Sequence, residues 1–213
     1  PSTNEKFNED SVELLNPQGI ELSNLRQSLI PNLLETVNYN INRQNNDLKL
    51  FEIGNVYTVI NNDFNEMRRI LISVVGSVFK ENWMIKYQEN NFFYLKGVIE
   101  KLLAIINVEN IKYEVTDDEI YDYKLNILKG KLIIGSIGEI KSNYANNFSI
   151  DQKINICSLY LDLLKPSSEK VIYQEISKFP SSRRDLSMIL DENVSFQDIK
   201  NLAYKEETKI LKE

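Results

Sequence analysis

The residues that most often do chemistry are scarce in this chain. It has no histidine and one cysteine, Cys157, against 31 Asp plus Glu and 25 Lys plus Arg. Without histidine there is no Ser-His-Asp relay and no imidazole metal ligand. With one cysteine there is neither an internal disulfide nor a Cys-x-x-Cys metal clip. Cys157 stands in an alternating apolar pattern, INICSLYL, where it reads as a small hydrophobe. The pair Gly135 and Gly138 has the spacing of a phosphate-cradling turn, but no P-loop lysine or hydroxyl follows, so a structural turn, bend or bulge is the expectation. Lys170, Lys178, Arg183 and Arg184 oppose only Glu175 and Asp185, which makes one short stretch locally basic. Two readings of that stretch stand side by side: an RNA contact through Lys178, Arg183 and Arg184, or an arm fixed by pairing with Asp185 or Glu175. No residue is assigned a catalytic, cofactor-binding or metal-binding role.

These residues ride on a globular chain of 213 residues, 42% hydrophobic, with a net charge of -6. That length supports one good core and a second small piece. The acidic balance argues against nonspecific nucleic-acid binding, which draws its affinity from cations neutralising phosphates. There is no apolar run long enough to span a bilayer and no signal-peptide pattern, so the expected location is cytoplasmic. The first residue is not methionine, and the chain is expected to be a piece of a longer protein.

The elements follow from apolar periodicity. Leu25, Leu29, Leu33 and Val37, with Ile30, Leu34 and Ile41, mark a helix that is either one rod or two pieces meeting at Pro31, with Ser28 as a cap. Leu48 to Ile60 reads as a strand under it, and Arg68 to Phe79 as a strand covered on both faces, with a turn over Asn61 to Glu66 between them. Val12, Leu14 and Leu15 suggest a short strand ended by Asn16-Pro17. Phe92, Leu95, Ile99, Leu102 and Ile106 mark a second helix, in which Gly97 suggests close packing against a neighbour. Trp83 is expected to anchor a loop to the core. Short strands are expected at Ile111 to Val115, Lys124 to Leu128 and Lys131 to Ile140, with a hairpin at Lys129-Gly130. Ile154 to Leu164 is expected at the edge of the same sheet. A linker-like LKPSSEK puts the boundary near Pro166, giving domains 1–166 and 167–213. The second holds a strand at Arg184 to Leu190 and a helix capped by Ser195 with Ile199, Leu202 and Ala203 on its apolar side.

Several of these segments, taken together, resemble a known family. NP followed by LRQSLIPNLL, then N-x-N-R and LFEIGNVY, then NFFYLKGVIEKLLAII, IIGSIGEI and ISKFPSSRRDLSMIL occur in the order found in the β subunit of bacterial phenylalanyl-tRNA synthetase. The resemblance covers most of the chain. It implies the α+β class: a class II aminoacyl-tRNA synthetase-like antiparallel sheet flanked by helices, followed by a truncated ferredoxin-like anticodon-binding domain. LFEIGNVY is similar to the first strand of motif 2, where catalytic members follow the aromatic with Arg-x-Glu to hold the α-phosphate of ATP. Here Tyr57 is followed by Thr58, Val59 and Ile60, and the glycine-rich, arginine-ending motif 3 is not found. The chain also departs from the family at two His-Pro positions, where it has YDYKLNIL and KSNY.

The resemblance therefore implies a synthetase fold without its adenylate site, a ligase as part of a whole enzyme and inactive alone. The whole enzyme is implied to be an α2β2 heterotetramer that joins phenylalanine to tRNA(Phe) using ATP and Mg²⁺, with activation in the α subunit. The fragment would pair with α through its opening helix and strand, with Leu25, Arg26, Asn40, Asn42 and Arg43 at the interface. Arg26 carries a second reading, a helix cation paired to a nearby acid. A stand-alone interaction or RNA-binding module is the alternative. The incomplete second domain lacks the strands to close a core, so packing on the main domain, swapping and fraying all stand open.

Overall fold

The computed structural model describes residues 11–17, 19, 23–60, 63–79, 83–84, 87–108, 110–164, 178–194, 196–207 and 210–211. By contacts the chain divides into two units, Pro1–Glu169 and Lys170–Glu213. The first holds α1 (Ile30–Ile41), β1 (Leu48–Ile60), β2 (Asp63–Val75), α2 (Phe92–Ile105), β3 (Ile111–Thr116), β4 (Tyr121–Lys129), β5 (Leu132–Ile140), α3 (Ser142–Asn146), β6 (Ile154–Tyr160) and a 3-10 turn at Leu161–Leu163. The second holds α4 (Phe196–Glu206).

Six strands form one sheet in the order β1-β2-β6-β5-β4-β3, with every pair antiparallel. The sheet separates two cores, because alternate side chains of a strand face opposite sides. On one side α1 packs Leu33, Leu34 and Val37 against Val56, Leu71, Val75, Ile154 and Ile156. On the other, α2 packs Leu95, Ile99 and Leu103 against Val74, Ile127, Ile137, Cys157 and Leu159. Strand β6 feeds both cores and lies between β2 and β5, so its expected place at the sheet edge is corrected. Its unbroken burial from Ile154 to Cys157 is the signature of a strand covered on both faces.

Helix α1 is a single piece that begins at Ile30, with Pro31 in its first turn, where a missing N–H costs nothing. Leu25 to Ser28 lie before it rather than in it, and the Ser28 Oγ accepts from the Ile30 N–H at 3.2 Å. Helix α2 is capped by Asn91, whose side chain accepts from the Tyr94 N–H at 2.9 Å. Three local expectations are corrected. A Cβ at Gly97 would meet nothing within 4 Å, so that glycine marks no close packing. Trp83 is 92% exposed rather than buried as a core anchor. Val12 to Leu15 form no strand, only an isolated bridge between Glu13 and Asn24.

The hairpin of β1 and β2 is regular through Ile60 paired with Asp63, so Asp63 to Glu66 belong to the strand and not to a turn. Only Arg69 to Val75 of β2 go on to pair with β6; Asp63 to Arg68 pair with β1 alone. In the second unit, Arg184 to Leu190 carry no ladder. The expected strand is absent there because a strand exists only where another takes up its N–H and C=O groups. Helix α4 has no buried residue. The expected cap Ser195, the arm over 171–177, Lys170 and Glu175 lie outside the described residues.

Candidate functional site

Antiparallel register sets side chains in rows across a sheet, and one row on the α1 side is unusual. Leu71 of β2 stands opposite Ser158 of β6, Ser158 opposite Ser136 of β5, and Ser136 opposite Asn126 of β4. Two adjacent serines cannot fill the space that leucines would, so the apolar core stops here and the sheet face opens into a cleft of about 530 Å³. The next row adds Arg69 opposite Tyr160. Ser28 to Ile30 at the start of α1 form one wall, and Asp118 to Tyr121 with Tyr144 of α3 form the other.

Charge is unevenly matched in this cleft. Lys124 Nζ lies 2.6 Å from Asp118 Oδ2, while Asp118 Oδ1 accepts from the Ile120 N–H at 3.1 Å, so both carboxylate oxygens are used. Arg69 lies with its guanidinium carbon 4.4 Å from the centre of the Tyr160 ring and donates from Nη2 to the Tyr160 hydroxyl at 3.1 Å. Its Nε is buried without a hydrogen-bond partner, as is the hydroxyl of Tyr144. Burial raises the Tyr144 pKa above the ordinary tyrosine value, so that hydroxyl stays protonated at neutral pH. Burial first, and the Asp118 carboxylate second, raise Tyr121 as well.

Where motif 2 would supply Arg-x-Glu, β1 supplies Thr58, Val59 and Ile60 at the tip of the hairpin. Gly135 and Gly138 lie inside β5, not in a turn. A Cβ at Gly135 would meet the Ser158 carbonyl, and one at Gly138 the Tyr123 carbonyl, so both permit close strand approach. The bulge foreseen for this stretch falls beside Gly135, where Ile127 pairs with Gly135 and Leu128 with Ile133. Among the described residues, no three His, Cys, Asp or Glu side chains converge as a metal site.

A family model described as the phenylalanyl tRNA synthetase beta chain CLM domain matches residues 1–161. The chain belongs to that family. Similar relatives include the phenylalanine–tRNA ligase beta subunits of Bacteroides thetaiotaomicron, 33% identical over 95% of this chain and 26% of the relative, and of Syntrophotalea carbinolica, 28% identical over 96% and 26%. The chain thus spans about a quarter of the length of these relatives. Among solved structures, two of the pyrrolysyl-tRNA synthetase of Desulfitobacterium hafniense share the fold. They have TM-scores of 0.52 and 0.56 and identities of 17% and 16%, and cover 66% and 73% of this chain and 48% and 52% of those chains.

Within this phenylalanyl-tRNA synthetase β-chain framework, the segment KSNY meets the residues that lead into YDYKLNIL. Lys141 donates from Nζ to the carbonyls of Asp118 and Glu119 at 3.2 and 3.0 Å, and its N–H donates to the Ile120 carbonyl at 2.9 Å. Both segments line the cleft.

The five interface candidates fall at opposite ends of α1. Asn40, Asn42 and Arg43 lie at its C-terminal end, where Arg43 stacks 3.4 Å over the Tyr39 ring and donates to the Tyr39 carbonyl at 3.0 Å. Asn40 donates to the Thr36 carbonyl and Asn42 to the Asn38 side chain. Leu25 and Arg26 precede the helix, whose 12 residues span ~18 Å. Arg26 crosses β1 over Gly54, 2.5 Å from Glu52 Oε1 and donating from Nε to the Asn55 carbonyl at 2.9 Å. The cation-to-acid pairing foreseen for Arg26 is present, although the residue is not on a helix. In the second unit Lys178, Arg183 and Arg184 are exposed, and Arg183 lies 3.5 Å from Asp185. The residues that sequence reasoning missed are Arg69, Tyr144, Lys124 and Asp118. Their available signal was the pair of serines inside two otherwise apolar strands.

Proposed function

We propose that this chain is a catalytically inactive, class II synthetase-like part of a phenylalanine–tRNA ligase, acting as a scaffold beside the catalytic α subunit and helping to place tRNA(Phe). The observation that carries the reading is a synthetase-fold sheet whose motif 2 hairpin follows Tyr57 with Thr58, Val59 and Ile60, so that no cation stands where motif 2 has its arginine. A fixed positive charge at that place stabilises the charge that develops in adenylate formation, and neutral aliphatic residues do not. In this reading activation belongs to another subunit of the whole enzyme, an α2β2 assembly in the cytoplasm. No described helix is long and apolar enough to cross a membrane.

Leu25, Arg26, Asn40, Asn42 and Arg43 contact the α subunit in this reading, and Lys178, Arg183 and Arg184 contact RNA. The test mixes the chain with the α subunit and follows the pair by light scattering coupled to size exclusion. Co-elution at fixed stoichiometry, lost on Arg43→Glu, supports the scaffold. Separate elution refutes pairing through this region, and ATP–pyrophosphate exchange by the chain alone with phenylalanine refutes inactivity.

A further inference from the structure

Two cations line the cleft on the α1 side of the sheet, and only one of them has a carboxylate partner among the described residues. Lys124 is answered by Asp118. Arg69 has no carboxylate within ion-pair distance among the described residues; its contacts are to neutral Tyr160. A partly buried guanidinium without an anion, with its Nε unpartnered, forfeits the hydrogen bonds that repay desolvation. Tyr144 lines the same cleft, and its hydroxyl, buried and protonated, is a second donor without a partner. The remaining wall is apolar, through Leu71, Ile120 and Ile133. At about 530 Å³ the space falls in the range of small-molecule sites.

We propose that this cleft binds a small organic molecule with one carboxylate and an apolar body, the carboxylate taken by Arg69 and Tyr144. A single negative charge is specified because only one cation is unmatched. A phosphate dianion would bring a second charge close to the carboxylates of Asp118 and Glu119. The guanidinium fork and the phenol donate to the two oxygens of a carboxylate, and the body lies against Leu71, Ile120 and Ile133. No bond is made or broken, and none of Leu25, Arg26, Asn40, Asn42 and Arg43 lines the cleft.

The test uses the 213-residue chain labelled with ¹⁵N and sodium benzoate as probe, with sodium chloride and inorganic phosphate titrated in parallel. The Arg69 Nε–Hε cross-peak is identified by its loss in Arg69→Lys. Benzoate is expected to shift that peak and the Ser136 and Ser158 amides along a saturating curve, while chloride and phosphate do not. Arg69→Gln is expected to weaken benzoate by at least about tenfold, the loss of one charge-assisted pair, and Tyr144→Phe by severalfold. Dispersed spectra establish that each variant is folded, and Tyr144→Phe carries the test if Arg69→Gln is not. A benzoate response that matches chloride, or never saturates, overturns the proposal. So does saturation by phosphate without benzoate, or unchanged affinity in Tyr144→Phe.

Discussion

Two glycines give a single substitution opposite signs. Gly97 lies mid-way along α2 with nothing within 4 Å of where a Cβ would stand. Gly97→Ala is therefore expected to stabilise the first unit by about 0.8–1 kcal/mol, the helix-propensity difference between the two residues. In a domain of this size that raises Tm by roughly 2–4 °C. Gly54 lies in β1 directly beneath the Arg26 guanidinium, with Leu29 Cδ2 at 3.3 Å. Gly54→Ala displaces that guanidinium from Glu52 and from the Asn55 carbonyl. The ion pair is about a third exposed, so solvent screening leaves it worth ~0.5–1 kcal/mol. The charged hydrogen bond contributes ~1.5 kcal/mol. Reduced unfolded-state freedom of alanine returns ~0.4–1 kcal/mol, for a net loss of about 1–2 kcal/mol. The discriminating measurement is a double-mutant cycle by urea unfolding. With Arg26→Ala already in place, Gly54→Ala is expected to be close to neutral, so the double variant is more stable than the sum of the singles by more than ~1 kcal/mol. An unchanged cost of Gly54→Ala in the Arg26→Ala background, or a destabilising Gly97→Ala, refutes the packing argument.

Asn91→Ala removes the cap of α2 and is expected to cost ~1 kcal/mol by urea unfolding, whereas Asn91→Asp keeps the acceptor and gains a few tenths from the helix dipole. Burial pushes the Cys157 thiol up and leaves it fully enclosed, so a thiol reagent should label it only as fast as the sheet opens. Labelling at the rate of a free thiol would contradict that burial. Burial raises Tyr113, Tyr121 and Tyr123 above ordinary tyrosine. The unfolded chain therefore releases these protons first. Their stabilising contribution is full below about pH 10 and is lost as pH rises towards the folded values. The part of the phenolate absorbance that disappears in Tyr113→Phe and in Tyr121→Phe should rise together with loss of circular dichroism in an alkaline titration, not before it.

Much of the architecture was legible because apolar spacing encodes burial. The stripe from Phe92 to Ile106 located α2, while its cap, Asn91, was found only in the structure. The hairpin at Lys129-Gly130 followed from its glycine, which sits at a φ of 64°. What stayed hidden depended on neighbours. Placing β6 at an edge failed because alternation shows that a strand is buried but not which strands flank it. Helix α3, five residues within KSNYAN, is too short to show a period. The cleft was illegible for the same reason as β6: Leu71, Ser158, Ser136 and Asn126 come from four strands, and only register brings them into one row. Arg184 to Leu190 has strand composition without a partner.

The far half of the β1–β2 hairpin, where Asp63 to Arg68 pair with β1 alone, is a ribbon standing clear of the six-stranded ladder. Apart from Val56 and Met67, which belong to the α1-side core, its residues answer mainly to each other, so amino-acid changes at its outermost rungs are cheap for the fold. In a catalytic relative that would be the place where an active site can be switched off without unfolding the protein. Retirement of an enzyme to a supporting role then needs no compensating change elsewhere. The same freedom makes this tip the natural point at which to graft a foreign peptide or a reporter tag, with the body of the domain left as it is.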